Sequence, residues 1–176
     1  MEQIYGLVNR QLSRGRKLVL ARIIRRTGST PRDVGSMCII TEDNKILGTV
    51  GGGKLEYMVH KKAAEMMLDG QSFIYRFSLS NDDLAKNGMI CGGDADLFLE
   101  LLSPENSRTI QTFKTIEEQL YAHKPVTLVT CIRDGLDPLA KNLRMILLDD
   151  GNRVGSLDEF SANLIDVSSQ KPYQLT

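Results

Sequence analysis

The sequence is short of several things, and each shortage closes off a class of function. It has no surplus of either charge. Lys+Arg and Asp+Glu are both 22, so the net charge is zero. A balanced chain lacks the basic footprint of a nucleic-acid binder and the charge block of a membrane patch. Long apolar runs are missing too, and none approaches the roughly 18 residues that read as a bilayer span. The opening stretch "MEQIYGLVNRQLSRGRK" has no continuous apolar core, so no signal peptide is expected. Cysteines number three, with no CxxC pair. That fits a reducing cytoplasm better than a disulfide scaffold. Histidines number two. His60 stands beside Lys61 and Lys62, and His123 falls near a helix C-terminus, where a cation is favoured. Neither points to a His-based metal site. No G-x-G-x-x-G follows a predicted strand, so no Rossmann unit is expected.

What is present suffices for one domain. In 176 residues, 41% are hydrophobic, enough for one core and too few for two. Helical spacing runs through Ile4, Leu7, Val8 and Leu12, again from Leu55 to Leu68, and again through "IQTFKTIEEQLYAHK". The spacing predicts helices near Ile4–Ser13, Lys54–Leu68 and Thr109–Ala122. "KLVLARIIRR", "SFIYRFSLS", "DADLFLELL" and "PVTLVTCIR" read as strands. "SMCIITEDNKILGTV" and "LRMILLDDGNRVGSL" read as hairpins.

The order helix, strand, hairpin thus occurs twice, at an offset of about 107 residues. Arg26 matches Arg133, Gly28 matches Gly135, and Glu42-Asp43 match Asp149-Asp150. "LGTV" from Leu47 matches "VGSL" from Val154. The expectation is an α/β fold: a single domain with a mixed sheet, built from two similar helix-strand-hairpin units about a pseudo-twofold. It should cover residues 1–168, with 169–176 a polar tail or linker. Oligomers being usual for such scaffolds, a homodimer is expected.

The repeat separates scaffold from additions. After "LGTV" the first unit carries about four extra residues, Gly51-Gly52-Gly53-Lys54, which the second unit closes without. Ser29, Thr30 and Arg32 in "TGSTPRDVG" also lack counterparts. A strand, a glycine loop and a helix make a ready anion site, because the first N–H groups of the helix have no partner there. Gly48-x4-Gly53-Lys54 matches a P-loop up to its last position, where Leu55 replaces the Ser or Thr that holds magnesium. A tight turn in which two backbones cross is the plain alternative. A second glycine-rich point, "NGMICGGD", leaves Cys91 flanked by Gly92 and Gly93. There the thiol could bind a soft metal, carry sulfur or act as a nucleophile. Cys38 and Cys131 lie in apolar strands and read as core.

Together, "GSTPRDVGSMCII", "LGTVGGGKLEY" and "GMICGGDADLFLE" resemble the XdhC/CoxI family of accessory proteins, which serve molybdenum hydroxylases of the xanthine dehydrogenase type. The resemblance spans Gly28 to about Glu100. It implies a protein that binds the molybdenum cofactor (molybdopterin) transiently, holds it for sulfuration with a cysteine desulfurase, and passes it to a xanthine dehydrogenase-type apo-enzyme. The protein itself would turn nothing over. The resemblance assigns Ser29, Thr30, Arg32, Gly51, Gly52, Gly53, Lys54, Glu56, Cys91, Gly92 and Gly93 to the cofactor, with Cys91 beside the metal. Some relatives have Cys at the place of Lys54, and others have paired cysteines where this chain has Ile90-Cys91. Longer relatives add a C-terminal Rossmann domain. Two other readings stand beside this one: a nucleotide- or thiol-dependent transferase using the near-P-loop and Cys91, and a non-catalytic interaction module.

Overall fold

The structure, a computed structural model, describes residues 2–28, 32–78, 93–141 and 143–157. Its elements run α1 (Glu2–Ser13), β1 (Leu18–Gly28), β2 (Met37–Thr41), β3 (Ile46–Gly48), α2 (Gly53–Asp69), β4 (Phe73–Ser78), β5 (Gly93–Leu102), α3 (Ser107–Tyr121), β6 (Val126–Thr130), β7 (Leu143–Leu148) and β8 (Arg153–Leu157). The three helices lie where the apolar spacing predicts them. The boundary expected at residue 168 lies outside the described residues.

Among the described residues the strands form two sheets, ordered β3-β2-β1-β5-β4 and β6-β7-β8. The α/β class holds, but every pairing among the described residues is antiparallel, where one mixed sheet was expected. Parallel neighbours need a crossover between them. The helix that crosses this sheet, α2, instead joins its two opposite edges, β3 and β4, which never pair.

Alternation along β1 buries both faces of the larger sheet. Val19, Ala21 and Ile23 pack with Val59, Ala63 and Met66 of α2. Leu18 and Leu20 face the other way, into a cluster with Val8 and Leu12 of α1, Phe113 and Ile116 of α3, and Ile146 of the smaller sheet. The helix pair α1/α3 therefore joins the two sheets. Across it, Arg144 of β7 donates through Nη2 to Glu100 Oε1 of β5, and through Nη1 to Thr109 Oγ1 at 2.9 Å. Both charged side chains are about 5% exposed or less.

The repeat is built into the backbone. Gly48 sits opposite Cys38, and Gly155 sits opposite Met145, the same register displaced by 107 residues. The residues with positive φ recur in step: Gly28 and Gly135 at 66° and 69°, Asn44 and Gly151 at 64° and 82°, Gly48 and Gly155 at 89° and 86°. The helices face their own counterparts. Tyr5 stacks on Phe113 with ring centroids 6.1 Å apart, and Asn9 Nδ2 donates to Glu117, 108 residues away. Groups that lie on a twofold axis meet their own mates in this way. The two hairpins do not share a sheet, so what repeats is the local unit, joined through its helices.

Candidate functional site

Between the end of β3 and the start of α2, the chain takes a path that side chains would oppose. Gly51 has φ 138°, Gly53 has φ 57°, and Gly52, the residue capping α2, has φ 76° with ψ −178°. Only glycine adopts these freely. A Cβ on Gly52 would meet nothing within 4 Å. Crowding thus does not explain that glycine, and the space over its backbone is open. The crossing of two backbones occurs earlier, at Gly48. A Cβ there would lie 2.7 Å from the Met37 carbonyl oxygen and 2.7 Å from Ile4 Cδ1.

The loop delivers the chain to a helix of 17 residues with no side-chain hydrogen bond capping its first turn. The positive end of the helix dipole and its first N–H groups are directed at the open space. Lys54 stands exposed in that turn, while Leu55 points into the core at 5% exposure. A P-loop would need a hydroxyl at the place of Leu55, free to reach a metal. It gets a core side chain on a helix that follows a three-residue antiparallel edge strand.

Glu56 turns inward and braces the loop. Its Oε1 accepts from Thr49 Oγ1 at 2.5 Å and from the Val50 N–H at 3.3 Å, while Thr49 Oγ1 accepts from the Gly51 N–H at 3.2 Å. The Cys38 thiol feels this carboxylate. Burial first, then the charge of Glu56, pushes its pKa from 9.0 up to about 12. Cys38 is buried and Cys131 partly so, as core cysteines should be.

Of the other two predicted motifs, the described residues that flank them come together. Gly28 at the end of β1 pairs with Gly93 at the start of β5. Next to this pair Thr27 Oγ1 donates to Asp94 Oδ2 at 3.2 Å, and Arg25 bridges to Asp96 at 3.2 Å. Arg32 is exposed in the loop from β1 to β2, one residue before Asp33, which pairs with Arg26 at 2.8 Å. β1 ends, β2 begins, β3 ends and β5 begins at the same end of the sheet. Arg32, Gly51, Gly52, Gly53, Lys54, Glu56 and Gly93 thus belong to one end of the fold. Ser29, Thr30, Cys91 and Gly92 lie outside the described residues. Among the described residues no group of three or more His, Cys, Asp or Glu side chains could hold a metal ion. No helix among them is long and apolar enough to cross a membrane.

Sequence reasoning missed Thr49 and the Glu100–Arg144 pair. Thr49 partners Glu56 at a spacing of seven, which matches no capping pattern. Glu100 and Arg144 did leave a signal, each being a lone charge inside an apolar strand run.

Comparison with known proteins agrees with this anatomy. Residues 11–78 match the model of the XdhC and CoxI family. Over 82 residues, 47% of this chain, the sequence is 27% identical to the uncharacterized protein YqeB of Escherichia coli (strain K12), of which it covers 15%. In fold, 94% of the chain superposes on a crystal structure described as a xanthine dehydrogenase from Bacillus halodurans, with a TM-score of 0.71 and 23% identity. The chain spans about half of that protein, 49% of its length. The match to the XdhC and CoxI family thus covers residues 11–78, the N-terminal part of the chain.

Proposed function

We propose that the chain is an accessory protein of a xanthine dehydrogenase-type molybdenum enzyme and holds the molybdenum cofactor for sulfuration and insertion. The observation that carries this reading is the Gly51–Gly53 loop. It is a backbone path reserved for glycine, open above Gly52, at the head of a helix without a side-chain cap. The family supports it, since members are associated with the maturation of such enzymes, and so does the fold shared with a protein described as a xanthine dehydrogenase.

The residues present suit the phosphate end of the cofactor. The N–H groups at the head of α2 would receive its oxygens, and Lys54 and Arg32 would neutralise their charge. Glu56 works behind the loop, keeping Thr49 and Val50 in place. When bound, the cofactor supplies a molybdenum centre with a dithiolene, whose soft-ligand chemistry falls to Cys91. The partners in this reading are the apo-enzyme and a cysteine desulfurase, met in the cytoplasm, and the protein acts without turnover of its own. The transferase reading loses its P-loop at Leu55, and the interaction-module reading leaves the glycine conformations without a purpose.

Two variants test it, each in two assays. Arg32→Ala should weaken cofactor retention about ten- to a hundredfold, the value of a charge-assisted contact. Cys91→Ala should retain the cofactor but fail to yield active, sulfurated target enzyme. Equal loss of retention in both would make the thiol a primary metal ligand. No effect in either assay would refute the reading.

A further inference from the structure

The second unit has an opening where the first is filled. In the first unit Ile4 of α1 lies over Gly48 of β3. The helix registers that pair Tyr5 with Phe113 and Asn9 with Glu117 put Thr112 at the place of Ile4, and the hairpin register puts Gly155 at the place of Gly48. Thr112 is the smaller side chain, and its Oγ1 is turned back to donate to the Arg108 carbonyl at 2.8 Å. Over Gly155 there is instead an open cleft of about 380 Å³, lined by Arg108, Gln111, Thr112, Val154, Gly155 and Ser156. That size is at the lower end of small-molecule sites, roughly 300–1,000 Å³.

The described lining is cationic and rich in hydrogen-bonding groups, with no carboxylate among the described residues. Arg108 is held across the cleft, its Nη1 donating to Ser156 Oγ at 3.2 Å and to the Lys141 carbonyl at 3.4 Å. A second, buried arginine adjoins. Arg144 lines an annex of about 10 Å³ that shares Arg108, Thr112 and Gly155 with the cleft. Its side chain is about 5% exposed, and its Nε is buried with no hydrogen-bond partner. Such a space is about the size of one water, which would satisfy that donor. Among the described residues Arg108 lines the cleft and Arg144, paired with Glu100, stands behind it, an arrangement that favours an anion.

We propose that the cleft between α3 and β8 binds the phosphate group of a small molecule, at a site separate from the glycine loop. The test is a titration of the isotope-labelled full chain, followed residue by residue by NMR. The probes are inorganic phosphate, glycerol 3-phosphate and, as the neutral control, glycerol. Saturable shifts at Gln111, Gly155 and Ser156 are expected with both phosphates and not with glycerol. Tighter binding of the ester would mean that the site also reads the organic part, and equal binding that it reads phosphate alone.

Thr112→Ile, which restores the filling seen in the first unit, should abolish these shifts. Arg108→Gln, an exposed change that spares the fold, should weaken binding about ten- to a hundredfold. Lys54→Gln should leave them unchanged. Shifts confined to Gly51–Lys54, a response that never saturates, an equal response to glycerol, or binding that survives both cleft variants would overturn the proposal. Loss of cofactor retention at the glycine loop would not touch it.

Discussion

A single carboxylate illustrates how residues here serve two ends. Glu56 braces the glycine loop and also raises the Cys38 pKa. The thiol therefore stays protonated in the native state through the range where free cysteine reacts. Native protein at pH 8 should leave Cys38 unlabelled by a thiol reagent, and unfolding should expose it. The linkage follows. The folded pKa lies above the unfolded one, so between pH 9 and about 12 the unfolded chain loses a proton that the folded chain keeps. This contribution is whole below pH 9 and fades across that window, by at most about 1.4 kcal/mol per pH unit. Chemical denaturation of wild type and Cys38→Ala across the window should show a shallower decline in the variant. Glu56→Gln should move the titration of the thiol downward. Asp43 behaves oppositely. Bonds from Lys45 and Thr41 lower its pKa to about 2, so what it adds is present above pH 3.8 and lost as the pH falls toward 2. Its counterpart Asp150 is lowered in the same direction by Asn152.

At the scale of elements, the two hairpins make matched forecasts. A Cβ on Gly155 would lie 2.5 Å from the Arg144 carbonyl oxygen, the same clash that Gly48 would meet at Met37. Gly48→Ala and Gly155→Ala should each cost more than the roughly 1–2 kcal/mol of a left-handed residue alone. Gly35→Ala, with φ 89° and nothing within 4 Å, should cost only about that. Urea midpoints would rank the three. Helix α3 depends on its cap. Asn106 Oδ1 accepts from the Thr109 N–H at 3.1 Å, and its Nδ2 donates to the carbonyls of Pro138 and Ala140. Asn106→Ala should therefore cost about 2 kcal/mol, above the usual cap value of about 1, because two partly buried carbonyl acceptors also lose their donor. It should also loosen the cleft that α3 forms with β8.

For the whole molecule, the joint between the two sheets is the point of greatest leverage. Glu100→Gln strands Arg144 in the interior and should cost about 3–5 kcal/mol. The double change Glu100→Leu with Arg144→Met removes both charges and should recover most of that loss, a difference that a thermal melt resolves. Much of this architecture was legible. Apolar spacing gave the three helices, and turn residues at a fixed offset gave the repeat, because positive-φ positions such as Gly48 and Gly155 restrict sequence directly. Sheet pairing was not legible, since which strands become neighbours depends on how α2 crosses the sheet, which no local pattern encodes. Of the candidate site, the glycine loop announced itself through composition. Thr49 did not, its role arising from a contact made only once α2 folds back over the loop.

In the function proposed above, the Gly51–Gly53 backbone receives the cofactor. Gly52→Ala isolates it, because the new methyl has nothing to collide with and acts through the φ of 76°. The decisive measurement is retention of molybdenum cofactor by the purified full chain after gel filtration, for wild type and for Gly52→Ala, with thermal melts to show that both are folded. We predict stoichiometric retention by wild type and loss of it in a folded variant. No retention by wild type, or equal retention by the two, would show that the Gly51–Gly53 backbone does not receive the cofactor.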